Sequence, residues 1–205
     1  MPEEEAGTRK TIALTKPYLV VCEGAADKAF LERLLKVHQL TEFQVESPDK
    51  GGITDYGRFL GALTLARGFE NLSAIILTTD NDSRHNNPFH RLQQQIRQAE
   101  AGYPVPTEPL VPSRVEGFPP LIAVMIPWGE RRGNLEVLIL DAFSNKWPEL
   151  RASADEYRAA SPANDWSEDK CAIMILQCMI AALCQQSPNC SVTHIWSRPE
   201  FRPLL

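Results

Sequence analysis

Tyr18-Leu19-Val20-Val21-Cys22-Glu23-Gly24-Ala25-Ala26-Asp27-Lys28-Ala29-Phe30-Leu31 joins an apolar run to a carboxylate, a glycine and the start of an amphipathic segment. The run reads as a first strand with Glu23 at its C-terminal tip. Phe30, Leu31, Leu34 and Leu35 then recur at helical spacing, which predicts a helix over about Asp27 to Val37 with Lys28, Glu32, Arg33 and Lys36 on its other face. A strand, a glycine turn and a returning helix make the opening of an open α/β sheet. Such sheets bind ligands outside the carboxyl ends of their strands, where Glu23 would stand.

Working outward, a short strand is expected at Phe43 to Glu46. Gly51-Gly52 follows it, and then a helix through Phe59, Leu60, Leu63 and Ala66 with Thr54 as its N-cap and Gly68 at its end. Ala74 to Thr79 is apolar on both faces, as a central parallel strand covered by helices on each side must be, and it runs into Asp80-Asn81-Asp82. Asn87-Pro88 opens the clearest helix, with Phe89, Leu92, Ile96 and Ala99 as its stripe. Six of the 16 prolines lie between Tyr103 and Pro120, which excludes regular helix and predicts a surface loop or edge hairpin. Leu121 to Ile126 is a further two-sided strand, and Gly133-Asn134-Leu135-Glu136 opens a helix through Leu138, Ile139 and Phe143. Residues 148 to 164 read as a connector with one short helix. A last long helix is expected over about Trp166 to Leu183, capped by Asp165. The expectation is one mostly parallel, Rossmann-like α/β domain over residues 17–205, preceded by an acidic solvated tail at residues 1–16.

Composition narrows the function classes. Of the 205 residues, 43% are hydrophobic and 23% charged, which is ordinary for a soluble globular chain, and no apolar run approaches the ~20 residues of a membrane helix. The N-terminus is acidic where a secretory signal would be basic and then apolar, so a cytoplasmic location without membrane association is expected. Five cysteines, Cys22, Cys171, Cys178, Cys184 and Cys190, lack the close pairing of a zinc or redox motif and read as reduced core residues. A net charge of −5 argues against tight non-specific binding to a phosphate backbone by this chain alone, although bound cations would offset it locally.

The acids carry the chemistry. Asp80 and Asp82, two apart on extended backbone, point the same way and can offer oxygen ligands to one hard cation. Glu23 on a neighbouring tip can complete that site or act on a proton. The competing reading of Asp80-Asn81-Asp82 is a plain turn, since Asp and Asn bond their own backbone there. Asp27 and Glu136 each fall in a predicted first helical turn, where a carboxylate is favoured by the helix dipole whatever its function.

Taken together, Glu23-Gly24-x-x-Asp27 after one strand and Asp80-x-Asp82 after another resemble the TOPRIM (topoisomerase-primase) superfamily, most closely the branch of the overcoming-lysogenization-defect nucleases and their small stand-alone relatives. Gly133-Asn134-Leu135-Glu136 and Asp169-Lys170 stand where that branch has a later Gly-x-x-Glu and a lysine, so the resemblance covers about residues 17 to 175. It implies a Rossmann-like fold and a Mg²⁺- or Mn²⁺-dependent nuclease or related phosphotransferase acting on DNA or RNA. By this resemblance Glu23, Asp80 and Asp82 bind one cation, Asp27 and Glu136 serve a second, and Glu23 and Lys170 are the catalytic residues, with Lys170 facing the scissile phosphate. Topoisomerase activity is not expected, because the tyrosine-bearing domain is missing. The ATPase domain of the larger nucleases is missing too, with no Gly-x-x-x-x-Gly-Lys-Ser/Thr loop. The alternative is therefore a regulatory or binding module working with an ATPase on another chain. A receiver-like domain would also explain Asp80, but it needs an acidic pair after the first strand where this chain has Glu23-Gly24. Glu130 is a loose substitute for an acid expected near Ile126-Pro127-Trp128-Gly129. Arg84, Arg131 and Arg132 flank the expected crevice, and Trp128 and Trp196 are candidates to stack a base.

Overall fold

The apolar runs separated by amphipathic segments form a four-stranded sheet with helices on both faces, in a computed structural model that describes residues 12–49, 51–82 and 87–183. In chain order the elements are β1 (Tyr18–Val21), α1 (Ala25–Val37), β2 (Phe43–Glu46), α2 (Tyr56–Leu63), β3 (Ala74–Asp80), α3 (Pro88–Gln98), β4 (Leu121–Ile126), α4 (Leu135–Lys146), α5 (Pro148–Ala159) and α6 (Glu168–Leu183). All strand pairs are parallel and the order is β2-β1-β3-β4. The chain thus moves outward from β1 to β2, crosses back over β1 to β3, and continues to β4. The reversal lies between β1 and β3, and that gap at the strands' carboxyl ends is the switch point where an open α/β sheet holds its ligands.

Side-chain alternation along β1 and β3 divides the core. Leu19, Val21, Ile75 and Leu77 pack against Leu60 and Leu63 of α2 and Leu92 and Ile96 of α3, and all eight are almost wholly buried. Val20, Cys22 and Val45 face the other way, toward Leu31 and Leu35 of α1, while Phe30 joins a cluster with α4, α5 and α6. Burying one such Leu or Ile contributes about 1.5–3 kcal/mol, so the two faces rather than helix propensity hold the layers together.

Local chemistry sets the helix starts, and in places moves them from the sequence expectation. Helix α1 begins at Ala25, not Asp27, because Gly24 takes the extended cap conformation and Asp27, three residues on, accepts the Gly24 N–H at 3.1 Å. Thr54 is not a cap; it lies in a 3₁₀ turn over Ile53–Asp55, and α2 stops at Leu63, short of Ala66. Asn87 caps α3 as expected, accepting the His90 N–H at 2.9 Å with Pro88 in the first turn. Asn134 does the same for α4, accepting the Val137 N–H at 3.1 Å.

Larger differences come from packing. The expected connector at 148–164 contains the full helix α5, which opens on Pro148 and buries Ala154 against α4 and α6. Helix α6 starts at Glu168 rather than Trp166, because Asp165 belongs to a 3₁₀ turn over Pro162–Asp165. The tail boundary at residue 16 also shifts. Leu14 is buried in the main core, its N–H donates to the Arg67 carbonyl at 2.9 Å, and Ala13 bridges Arg67 in parallel, so residues 12–16 belong to the domain. The proline-rich segment is irregular as expected, with a single antiparallel bridge from Ser113 to Leu121, and it is clamped by Tyr103, whose hydroxyl donates to the Leu60 carbonyl at 3.0 Å. Cys22, Cys171 and Cys178 are free thiols; Cys184 and Cys190 lie outside the described residues. Among the described residues no helix is long and apolar enough to cross a membrane.

Candidate functional site

At the switch point the tips of β1 and β3 are tied together by one carboxylate. Glu23 Oε1 accepts the Thr79 hydroxyl and the Asp80 N–H, the latter at 3.1 Å. Its backbone is held from the far side, where the Gly52 N–H donates to the Glu23 carbonyl at 2.7 Å. Gly51 has φ +73°, and a Cβ there would come to 3.2 Å from that carbonyl, so the glycine pair lets the loop after β2 lie directly on the strand tip. Beneath the tips the Tyr56 hydroxyl donates to the Thr78 carbonyl. Burial, followed by the charge of Glu23, pushes that phenol well up, which keeps it a neutral donor.

The middle residue of Asp80-Asn81-Asp82 is a staple. The Asn81 amide donates to the carbonyls of Pro127 at 3.2 Å and Arg131 at 2.6 Å, and its oxygen accepts the Arg132 guanidinium at 2.8 Å. Its backbone bonds Ile126 and Gly133. The segment after β3 is therefore more than a turn, since it fixes the loop from β4 to α4 and so the helix start that carries Glu136.

Glu23, Thr79, Asp80 and Asp82 line one cavity of about 410 Å³, closed by Ile53, Pro88 and Arg91. Asp82 is buried and Asp80 half-buried. A larger hollow of about 620 Å³ lies between the end of α1 and β2, but its walls are chiefly Leu35, Leu40, Phe43 and Val45 with scattered charges. No chemistry converges there, and the smaller cavity is the better candidate.

The acids act on each other. Asp80 is raised from 3.8 to about 8, first by burial and then by the charges of Glu23, Asp27, Glu136 and Asp82. Asp27 is raised to about 6 by burial, then Glu136 and Glu23, against the lowering effect of the Gly24 N–H. All five acids expected at a metal site thus share one electrostatic neighbourhood, and they divide by contact: Glu23, Asp80 and Asp82 line the cavity, whereas Glu136 is the strongest charge on Asp27. An all-oxygen set of mutually repelling carboxylates fits a hard divalent cation. The expected tight convergence of Glu23, Asp80 and Asp82 on one point is not seen. Among the described residues no three His, Cys, Asp or Glu side chains are gathered closely enough to hold an ion as they stand, and Glu23 Oε1 is bonded to Thr79 and the Asp80 amide.

The basic candidates fare differently. Lys170 is exposed in the first turn of α6, and no basic side chain is among the charges that set Asp27 or Asp80. Arg131 pairs with Asp141 and Arg132 with Asn81, so both brace the loop. Glu130 and Trp128 are exposed on that loop, and Glu130 is not among the charges that raise Asp27 or Asp80. Arg84 and Trp196 lie outside the described residues. Arg91 was missed. It is half-buried on the cavity wall, and its Nη1 is buried with no hydrogen-bond partner among the described residues, a condition that costs roughly 1–3 kcal/mol. No local signal singled it out, for Arg91 lies on the flank of the apolar stripe formed by Pro88, Leu92 and Ile96 and reads in sequence as an ordinary charge of an amphipathic helix.

A family model described as a protein of unknown function (DUF3226) matches residues 17–187. No curated protein and no solved structure matches the chain.

Proposed function

This chain belongs to the DUF3226 family, and from the acids at its switch point we propose a metal-dependent nuclease or related phosphodiester phosphotransferase of the TOPRIM type, acting on DNA or RNA. The observation that carries the reading is the placement of Glu23, Asp80 and Asp82 around one cavity at the carboxyl ends of parallel strands, with Asp27 and Glu136 among the charges that raise Asp80. Glu23, Asp80 and Asp82 would hold one Mg²⁺ or Mn²⁺, and Asp27 with Glu136 a second. Such ions supply charge neutralisation and a clamp on the attacking and leaving oxygens of an in-line displacement.

The chain's own groups prepare the site. Thr79 and the Asp80 amide orient Glu23 through one carboxylate oxygen, and the other has no hydrogen bond among the described residues and would be open to a ligand. Asn81 holds the loop that fixes Glu136. Tyr56 rigidifies the strand tips from below. By the resemblance Lys170, in the first turn of α6, would offset charge growing in the transition state, a role separate from holding the bound phosphate. A net charge of −5 favours a second reading, a binding module whose partner, an ATPase on another chain, supplies the grip on nucleic acid.

Incubation with plasmid, single-stranded DNA and RNA in Mg²⁺ or Mn²⁺, with chelator controls, separates the two. Cleavage that needs metal and disappears in Asp80→Asn supports the enzyme. Metal binding without cleavage of any of the three moves the assignment to the module.

A further inference from the structure

We propose that Arg91 is the anion-binding group of the acid-lined cavity, receiving the phosphate of a ligand whose other oxygens meet the cation held by Glu23, Asp80 and Asp82. The inference rests on the metal-dependent reading above and adds to it the residue that recognises the phosphoryl group.

Position comes first. Arg91 lines the same cavity as the three acids, from the α3 wall. Its Cα is fixed, because Asn87 caps the helix, the Arg91 N–H donates to the Asn87 carbonyl at 3.1 Å, and Pro88 and Leu92 on either side are buried. The α3 wall thus brings the guanidinium to the cavity, with its Nη1 buried and without a hydrogen-bond partner among the described residues. Nearby arginines differ: Arg131 is taken by Asp141 and Arg132 by Asn81.

Nor is Arg91 simply neutralising the acids. Its Nη1 has no hydrogen-bond partner among the described residues, so that nitrogen is not spent on an acid of the same cavity. The cavity thus has carboxylates on one wall and, on another, an arginine whose Nη1 is unpaired among the described residues. A lone cation does not need the arginine, and a lone anion would be repelled by the acids. A phosphate bridging from a bound cation to a planar guanidinium satisfies both walls, and the fork of N–H donors matches two phosphate oxygens.

The test uses the full chain and the variants Arg91→Gln and Arg91→Lys, with fold checked by circular dichroism. Mn²⁺ affinity is read by electron paramagnetic resonance, and binding of inorganic phosphate and of thymidine 5′-monophosphate to the Mn²⁺-loaded protein by calorimetry. Arg91→Gln is expected to keep its Mn²⁺ affinity and to lose about tenfold or more in affinity for both phosphate probes, the loss of one charge-assisted pair, with Arg91→Lys between it and wild type. Equal phosphate affinity in the variants overturns the proposal, and so does a parallel loss of Mn²⁺, which would make Arg91 a prop for the acids. If Arg91→Gln fails to fold, Arg91→Lys decides by the same two readings. Wild-type protein that binds no Mn²⁺ overturns this inference together with the function it rests on. Mn²⁺-dependent cleavage left untouched in both variants overturns this inference alone.

Discussion

Asp80→Asn removes the charge that the folded chain tolerates least. In the fold this carboxyl sits at about 8, against 3.8 for an unperturbed group. Between those values the folded chain keeps a proton that the unfolded chain has lost, so stability falls as pH rises through the window. At pH 7 about three units of the window have been crossed. At about 1.36 kcal/mol per unit that is an upper bound of roughly 4 kcal/mol, and sharing among coupled acids with partial solvent screening reduces it to about 2–4 kcal/mol. An asparagine of the same shape escapes this penalty. For a chain of this size 1 kcal/mol moves the melting temperature by about 2–4 °C, so Asp80→Asn should melt roughly 4–16 °C above wild type in chelator near neutral pH. The difference should shrink toward zero near pH 4, where both chains carry a neutral group. Mn²⁺ at matched ionic strength should stabilise wild type and leave Asp80→Asn nearly unmoved, because binding stabilises only the state that holds the ion. Thermal melts by circular dichroism across about pH 4 to 8, with and without metal, measure all of this. A variant that melts at or below wild type in chelator at about pH 8 refutes the account of the acid cluster.

Asn81→Ala should cost about 2–4 kcal/mol in urea denaturation, since it leaves the Pro127 and Arg131 carbonyls and the Arg132 guanidinium without their partner. It should also weaken Mn²⁺ binding, through the loop that carries Glu136, although Asn81 is not an acid. Lys170→Ala should change stability by no more than ~0.5 kcal/mol, as its side chain is exposed, and leave Mn²⁺ affinity intact while lowering any cleavage rate by about 10²–10³. An unchanged rate in the single-turnover assay would take Lys170 out of the mechanism.

The sequence by itself determined the strands, their parallel character and the acids at their tips. The runs Tyr18–Val21, Ala74–Asp80 and Leu121–Ile126 are apolar on both faces, which only a sheet covered on both sides can accommodate, and the caps Asn87 and Asn134 act within three residues of themselves. Such signals are local, and local reading suffices for them. What depended on contacts distant in sequence was decided by the tertiary structure alone. Helix α5 has few apolar residues to announce it and forms because α4 and α6 offer it a surface. Leu14 falls within the expected N-terminal tail, yet the Arg67 carbonyl and the core draw it in. The spacing of Glu23 and Asp80 gave no hint that the glutamate would bond the Thr79 hydroxyl, 56 residues away, or that burial and four like charges would raise Asp80. Arg91, an ordinary charge on an amphipathic helix in one dimension, faces the acids only after α3 has crossed the sheet, because a titration or an unpartnered donor is a property of the space around a group and not of its neighbours in the chain.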